Sequence, residues 1–173
     1  MKTLLLLRHA KSSWKNTSLP DFERPLNARG RRAADQIGGY LKKKNLRPDL
    51  VLSSTATRAR ETIGIVLESS RFLTDLRYDE RMYLASAERL LNIISQLEIE
   101  WNQVLLVGHN PGMEELLFRL SGVDHHMPTA ALAKIVLDDD TWTKVVETKG
   151  ARLEFLVKPK ELSTETRRST GHH

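Results

Sequence analysis

The chain has 173 residues and a net charge of +5, with 40% hydrophobic and 28% charged residues. This length and balance predict a single globular domain, and the mild positive charge suits an anionic substrate. The absence of cysteine excludes disulfides, thiolate metal sites and a cysteine nucleophile. No apolar run approaches the roughly 18 residues of a membrane span, so we expect no membrane partner, and a cytoplasmic location is compatible with these features.

The first two thirds of the chain alternate short apolar runs with amphipathic segments. Thr3 to Arg8 is apolar without alternation, as expected for a strand that is buried on both faces. Asn27 is the predicted N-cap of a helix that reaches about Lys44. The elements predicted next are a strand from Leu50 to Ser53, a helix from Ala56 to Ser70, a short strand from Leu76 to Asp79, a helix capped by Ser86 that reaches about Leu97, and a strand from Val104 to Val107.

The last third of the chain begins with one more helix and then becomes rich in strands. Asn110 is the predicted N-cap of this helix, and Pro111 occupies its first helical position. An acidic turn at residues 138–140 predicts a hairpin between the first two of the strands that follow. These strands are Ala131 to Leu137, Lys144 to Thr148 and Arg152 to Val157.

Strands that alternate with helices, followed by a strand-rich end, predict an α/β fold. We expect a three-layer α/β/α sandwich with a mostly parallel, mixed central sheet. Residues 1–160 form the predicted single domain. Residues 161–173 are predicted to be a C-terminal tail, and the last five, from Ser169 to His173, resemble the remnant of an added tag.

Three of the predicted strands end close to side chains that can bind or attack a phosphate. Arg8 and His9 end the first strand, the second leads into Arg58, and His109 follows the third. Ligands of parallel sheets bind outside the carboxyl ends of the strands. We therefore expect these four side chains in one crevice.

This set of side chains fits phosphoryl transfer without a metal. Arg8 and Arg58 can each grip phosphate oxygens with two N–H groups and stay charged at any working pH. A neutral His9 is a competent nucleophile toward phosphorus, and His109 can donate a hydrogen bond to an equatorial oxygen. Phosphoryl transfer depends mostly on positioning and electrostatic stabilisation, which these groups supply.

The sequence defines the general acid for the leaving group less well. Glu80 is the first candidate and Asp79 the second, since both lie beyond the helix that carries Arg58. A surface ion pair of Glu80 with Arg77 or Arg81 fits the same spacing equally well. A phosphoramidate leaves more readily than an alkoxide, so hydrolysis of phosphohistidine can proceed without a dedicated acid.

No metal or other cofactor is expected. His125 and His126 are adjacent, and on an extended chain adjacent side chains point to opposite faces. No further ligand lies close to them in the sequence, so a structural or loop role is the better interpretation.

Together, these segments resemble the histidine phosphatase superfamily, whose members include phosphoglycerate mutases, and in particular its SixA-type phosphohistidine phosphatases. The resemblance covers about residues 2 to 157. The segments that carry it are Arg8 to Trp14, Ser53-Ser54, Arg58 to Thr62, Val107 to Asn110, Arg24-Pro25-Leu26 and Gly30.

The resemblance implies a role for each residue that matches the family pattern. His9 becomes the nucleophile, Arg8 and Arg58 become phosphate-binding residues, and His109 becomes the second histidine of the pocket. Arg24 becomes a further arginine that reaches the pocket.

Two details refine this expectation. Ala10 stands where much of the superfamily has glycine, and alanine still allows a close approach of the backbone. Trp14, in the loop beside the nucleophile, either lines the pocket or anchors the loop.

No long insertion is present to cap the site, so the pocket should be shallow and open.

We therefore expect a metal-independent phosphatase that hydrolyses phosphohistidine on a protein. A phosphomonoesterase that acts on a small phosphorylated metabolite is an alternative within the same superfamily. A non-catalytic module that binds phosphate or nucleic acid is a third possibility. Aromatic residues are only 6% of the chain and no basic stripe is interleaved with them, so nucleic acid is not the expected partner.

Overall fold

The computed structural model describes residues 1–163, and from residue 164 onward the predicted tail lies outside the described residues. Its strands are β1 (Lys2–Arg8), β2 (Leu50–Ser53), β3 (Asp75–Tyr78), β4 (Gln103–Gly108), β5 (Leu132–Leu137) and β6 (Arg152–Val157). Its helices are α1 (Ala28–Lys43), α2 (Thr57–Ser70), α3 (Ala87–Ser95) and α4 (Gly112–Ser121), with 3₁₀ helices at Asp21–Glu23, Glu80–Met82 and Thr143–Glu147. Residues 159–163 are also helical, so the domain boundary at residue 160 stays a prediction.

The six strands form one mixed sheet in the order β3-β2-β4-β1-β5-β6. β1 pairs in parallel with β4, which pairs in parallel with β2, and β2 pairs in parallel with β3. β5 and β6 continue the sheet with antiparallel pairing. The predicted mostly parallel, mixed sheet is therefore confirmed.

The central strand β1 faces a separate apolar core on each side of the sheet. Leu4 and Leu6 belong to the core shared with α3 and α4, and Leu5 and Leu7 belong to the core shared with α1 and α2. All four leucines are fully buried. An uninterrupted apolar run is what a strand covered on both faces requires, and the arrangement confirms the three-layer α/β/α sandwich.

One predicted strand, Lys144 to Thr148, is wrong, and so is the hairpin built on it. The segment forms the 3₁₀ helix Thr143–Glu147, and the neighbour of β5 at the sheet edge is β6. Trp142 is buried against the apolar core, and its indole Nε1 donates to the carbonyl of Trp101 at 2.8 Å. This anchoring holds the segment against α3, away from the hydrogen-bonding edge of β5.

The predicted cap of α4 is also wrong. The helix begins at Gly112 with Pro111 in the capping position and no side-chain cap. The Asn110 amide instead donates to Glu114 Oε1 at 3.0 Å and to the carbonyl of Met127 at 2.9 Å. The side chain thus joins the helix to the loop before β5.

The other two predicted caps are confirmed. Asn27 accepts from the backbone N–H of Gly30 at the start of α1, and Ser86 accepts from that of Arg89 at the start of α3. Within residues 1–163, none of the helices has the length and apolar character needed to span a bilayer.

Two adjacent glycines of α1 provide a matched test of helix packing. A Cβ at Gly38 would lie 2.5 Å from the Cβ of Ser69 and 2.7 Å from the carbonyl oxygen of Val66, whereas a Cβ at Gly39 would meet nothing within 4 Å among the described residues. We expect Gly38→Ala to lower the free energy of unfolding by about 1–3 kcal/mol through overpacking against α2. Gly39→Ala should raise it by about 0.5–1 kcal/mol, because alanine favours the helix. Urea denaturation of both variants measures the difference, and equal effects would contradict the close packing of α1 on α2.

Candidate active site

The carboxyl ends of β1, β2 and β4 open into a cavity of about 270 Å³. The structure brings together all four residues predicted for this crevice, and Arg24 joins them. The cavity is lined by Arg8, His9, Lys11, Ser12, Trp14, Arg24, Arg58, Leu84, His109, Asn110 and Thr129.

Backbone hydrogen bonds beyond the strand ends fix the positions of the catalytic candidates. The N–H of His9 donates to the carbonyl of Gly108 at 3.0 Å, and the N–H of Ser54 donates to that of Val107 at 3.0 Å. The parallel ladders therefore continue past the last residues of β1 and β2. His9 and His109 lie side by side as a result, with ring centroids 5.0 Å apart.

His9 has the protonation state that a nucleophile needs. His9 is buried, with 7% of its surface exposed. Burial, together with the smaller effect of the nearby guanidiniums of Arg58 and Arg8, lowers its pKa to about 4. The ring is therefore neutral at neutral pH. Its Nδ1 lies 2.7 Å from the carbonyl oxygen of Ala10. Because a carbonyl can only accept, Nδ1 carries the hydrogen and Nε2 keeps its lone pair.

His109 is neutral for similar reasons. Burial lowers its pKa to about 3, with smaller contributions from His9 and Arg58. Its Nε2 lies 2.8 Å from the hydroxyl oxygen of Ser54. The pocket thus contains two neutral imidazoles among permanently charged arginines.

Asp21, which the sequence analysis did not identify, holds two of the arginines. Arg58 donates to the Asp21 carbonyl at 2.8 Å and to its Oδ2 at 3.0 Å. Arg24 donates to Asp21 Oδ1 at 3.1 Å and to the hydroxyl of Ser12 at 2.8 Å. The hydroxyl of Tyr83 also donates to Asp21 Oδ2. One carboxylate therefore orients two guanidiniums at the mouth of the cavity.

The carboxyl of Asp21 is firmly ionised. Hydrogen bonds from Tyr83, which contributes most, and from Arg58 and Arg24 together lower its pKa to about 2 against the effect of burial. Asp21 and Arg24 are visibly three positions apart in the sequence, but many acidic and basic residues have this spacing by chance. Nothing local connects Asp21 with Arg58 or Tyr83, which lie 37 and 62 residues away.

Arg8 completes the cationic lining of the cavity. Its Nη1 donates to the carbonyl of Met127 at 3.1 Å, whereas its buried Nε has no hydrogen-bond partner among residues 1–163. Burying an N–H of a charged group without a partner is unfavourable. An anion in the cavity would supply the missing acceptor.

The structure does not bring Glu80 to the cavity. Glu80 is exposed in the 3₁₀ helix Glu80–Met82 and does not line the pocket formed by the described residues. Asp79 pairs with Arg81 at 2.7 Å, and Arg77 pairs with Glu98 at 3.1 Å. The general-acid role of Glu80 stays a prediction without geometric support.

The rim of the cavity is apolar and exposed. Trp14 is 71% exposed and Leu84 is 56% exposed, and both line the opening. The guanidinium carbon of Arg24 lies 3.5 Å from the centroid of the Trp14 indole, a favourable cation–π contact. Trp14 thus borders the pocket and is fixed to one of its arginines.

His125 and His126 lie outside the cavity. Both are exposed, and His126 pairs with Glu114. Within the described part of the chain, no three histidine, aspartate or glutamate side chains are arranged to hold a metal ion.

Comparisons with known proteins give a consistent set of relatives. A family model for the histidine phosphatase superfamily (branch 1) matches residues 4–83. An uncharacterized chloroplastic protein of Arabidopsis thaliana is 34% identical over 170 residues, which cover 91% of this chain and 78% of the plant protein. A structure from Agrobacterium tumefaciens, described as a phosphohistidine phosphatase SixA, is 33% identical with a TM-score of 0.78, covering 91% of this chain and 98% of that chain. A protein histidine phosphatase SixA complexed with tungstate shares the fold, with a TM-score of 0.79 at 20% identity over 92% of this chain and 99% of that chain.

The protonation state of His9 yields a pH prediction. A pKa lowered to about 4 keeps the ring neutral from alkaline pH down to that value, and it becomes charged only below it. We expect NMR of the His9 Cε1–H to show a midpoint near pH 4, whereas histidine in a short peptide titrates at about 6.5. A midpoint near that of the peptide would show that burial does not hold the nucleophile neutral.

Proposed function

The chain belongs to the histidine phosphatase superfamily, and on that premise we propose that it hydrolyses phosphohistidine on a protein through a phosphorylated His9. One observation carries the proposal. His9 is a neutral imidazole with its Nδ1–H bound to a carbonyl, so its Nε2 keeps the lone pair, which lies beside three guanidiniums and accepts from Arg58 Nε at 3.4 Å in the free protein.

The first step transfers the phosphoryl group to His9. Nε2 forms a bond to phosphorus while the bond from phosphorus to the imidazole nitrogen of the substrate breaks. The substrate imidazole, protonated on its other nitrogen, leaves as a neutral ring with the electron pair of that bond. This leaving group is much weaker as a base than an alkoxide, which agrees with the exposed position of Glu80 outside the cavity.

The second step releases inorganic phosphate. Water attacks phosphorus, the bond to Nε2 breaks, and His9 regains its lone pair. The hydrogens of the attacking water pass to phosphate and solvent. The second step therefore returns the enzyme to the neutral His9 that the free protein contains.

The arginines stabilise the charge of the transferred group. Arg8, Arg24 and Arg58 surround the cavity and remain charged at every working pH. Fixed donors of this kind, placed where negative charge is shared among the equatorial oxygens, stabilise the transition state without reorganising. Neither step requires a metal ion.

The size and rim of the cavity favour a protein as the carrier of the phosphoryl group. Drug-sized ligands occupy pockets of roughly 300–1,000 Å³, and the volume here is about 270 Å³. A phosphoryl group fits within this volume, and a carrier of the size of a protein stays outside, against Trp14 and Leu84. Such an opening suits a phosphorylated side chain presented by a protein surface.

We infer a cytoplasmic setting, since a chain without cysteine uses no disulfide of an oxidising compartment.

Removing the nucleophile tests the covalent mechanism and the substrate together. We expect rapid-quench assays with chelator present to show fast phosphate release from a phosphohistidine-bearing protein domain. His9→Ala should abolish this release while inorganic phosphate still binds, because the arginines remain. His125→Ala, which removes an exposed histidine outside the cavity, should behave like the wild type.

The same assay separates the other candidate functions. Release from an aryl phosphate but not from the protein would move the substrate to small phosphorylated metabolites. Release from neither would favour a module that binds phosphate or nucleic acid. Substantial turnover by His9→Ala would contradict the phosphohistidine intermediate.

Substitutions of Arg58 test whether its guanidinium binds phosphate through two N–H groups at once. We expect Arg58→Ala to lower kcat/KM by about 100- to 1,000-fold, the usual range for losing one transition-state donor. The loss of kcat/KM in Arg58→Lys should be about tenfold smaller, because lysine keeps the charge but not the paired N–H donors of the guanidinium (the fork). Arg60→Ala, on the exposed side of the same helix, is the matched control. Equal losses in Arg58→Ala and Arg58→Lys would show that the fork is unimportant.

A further inference from the structure

Ser54 is a fully buried hydroxyl that contacts the second histidine of the pocket. It follows β2, and its backbone N–H is bound to the carbonyl of Val107. Its Oγ lies 2.8 Å from His109 Nε2 and 3.2 Å from the backbone nitrogen of Ala56. These two contacts determine where the hydroxyl hydrogen points.

A count of donors and acceptors assigns that hydrogen to His109. The hydroxyl of Ser54 has one hydrogen to donate and two lone pairs to accept with. The N–H of Ala56 can only donate, so it uses a lone pair of Oγ. If Nε2 also carried a hydrogen, the Ser54 O–H would be a buried donor without an acceptor, which is unfavourable. A bare Nε2 accepts it and satisfies both groups.

The other nitrogen of His109 has the complementary property. Nδ1 is buried and has no hydrogen-bond partner within residues 1–163. A neutral imidazole carries one hydrogen, so an accepting Nε2 leaves Nδ1 as an N–H donor. With the opposite tautomer, Nδ1 would carry a lone pair and could not donate to an anionic ligand.

We propose that Ser54 is a positioning residue, whose hydroxyl donates to His109 Nε2 and fixes the ring as the Nδ1–H tautomer for hydrogen bonding to a phosphoryl oxygen. The benefit to turnover rests on the proposed phosphatase function. The tautomer itself is a property of the free protein.

A second hydroxyl supports His9 in a related way. Thr62 Oγ1 accepts from the N–H of Ala10 at 3.0 Å and donates to the carbonyl of Arg58 at 2.6 Å. The carbonyl of the same Ala10 accepts from His9 Nδ1. Both rings are thus Nδ1–H tautomers, but His9 uses its Nε2 lone pair, which accepts from Arg58 Nε at 3.4 Å in the free protein, and His109 uses its Nδ1–H.

Nitrogen-15 NMR of the free protein tests the tautomer directly. We expect His109 to show a protonated, pyrrole-type Nδ1 and an unprotonated, pyridine-type Nε2 at neutral pH. Adding inorganic phosphate should shift the Nδ1 resonance. A protonated Nε2 in the wild type would overturn the proposal, whatever the activity of the protein.

Kinetics of three variants test the consequence. Ser54→Ala should lower kcat about tenfold with little change in KM, a smaller loss than the roughly 100-fold typical of removing a transition-state donor outright. It should also mix the two His109 tautomers in the NMR spectrum. Ser54→Thr keeps the hydroxyl and should restore both readouts.

Ser53→Ala is the matched control, since it removes a neighbouring, fully buried hydroxyl that donates to the Ser54 carbonyl and not to a histidine. An equal loss of kcat in Ser53→Ala and Ser54→Ala, with one unchanged His109 tautomer, would overturn the positioning role. Failure of the proposed function is recognised separately, because wild-type protein would then release no phosphate while its tautomer is still measurable.

Discussion

The parallel pairing of β1 with β4, and of β4 with β2, is the constraint on which the site depends. It places Arg8 opposite Gly108 and Ser53 opposite Val107, so the three strands end at the same level. The chain leaves β1 with His9 and β2 with Ser54, and the backbone N–H of each is still bound to a carbonyl of β4. Side chains from three distant segments therefore meet without any long loop to carry them. The covered leucines of β1 keep this sheet fixed, since each face packs on its own pair of helices.

Charge balance explains why the cavity is suited to a phosphoryl group. Arg8, Arg24 and Arg58 bring three permanent positive charges, and the ionised Asp21 offsets one of them. Both histidines stay neutral because burial and these same cations disfavour their protonation. Lys11 also lines the cavity, so the lining keeps a net positive charge, which suits a phosphoryl dianion. Asp21 also fixes the directions of two arginines, so the protein orients its donors before the ligand arrives, which is the condition for effective electrostatic stabilisation.

The sequence predicted most features that local chemistry or the rule for strand ends controls, and it missed contacts that only the folded chain creates. The cap at Asn27 and the buried run of β1 follow from local chemistry, and the rule for strand ends was sufficient to gather His9, Arg58 and His109. Lys144 to Thr148 contains β-branched residues that favour a strand, but the burial of Trp142 against the core, which no local pattern shows, holds it in a 3₁₀ helix. Asp21 was missed because its partners are defined only by the folded chain.

In the proposed mechanism, the two histidines have opposite chemical roles that follow from one physical cause. Burial lowers the pKa of both rings, and a neutral ring always has one donor and one acceptor nitrogen. What distinguishes the roles is the partner of each ring: the carbonyl of Ala10 can only accept, whereas the hydroxyl of Ser54 is able to donate. An accepting partner leaves a nucleophilic lone pair, and a donating partner leaves an N–H for an anion. The division of labour between nucleophile and anion donor is therefore set by two neighbouring groups that never touch the substrate.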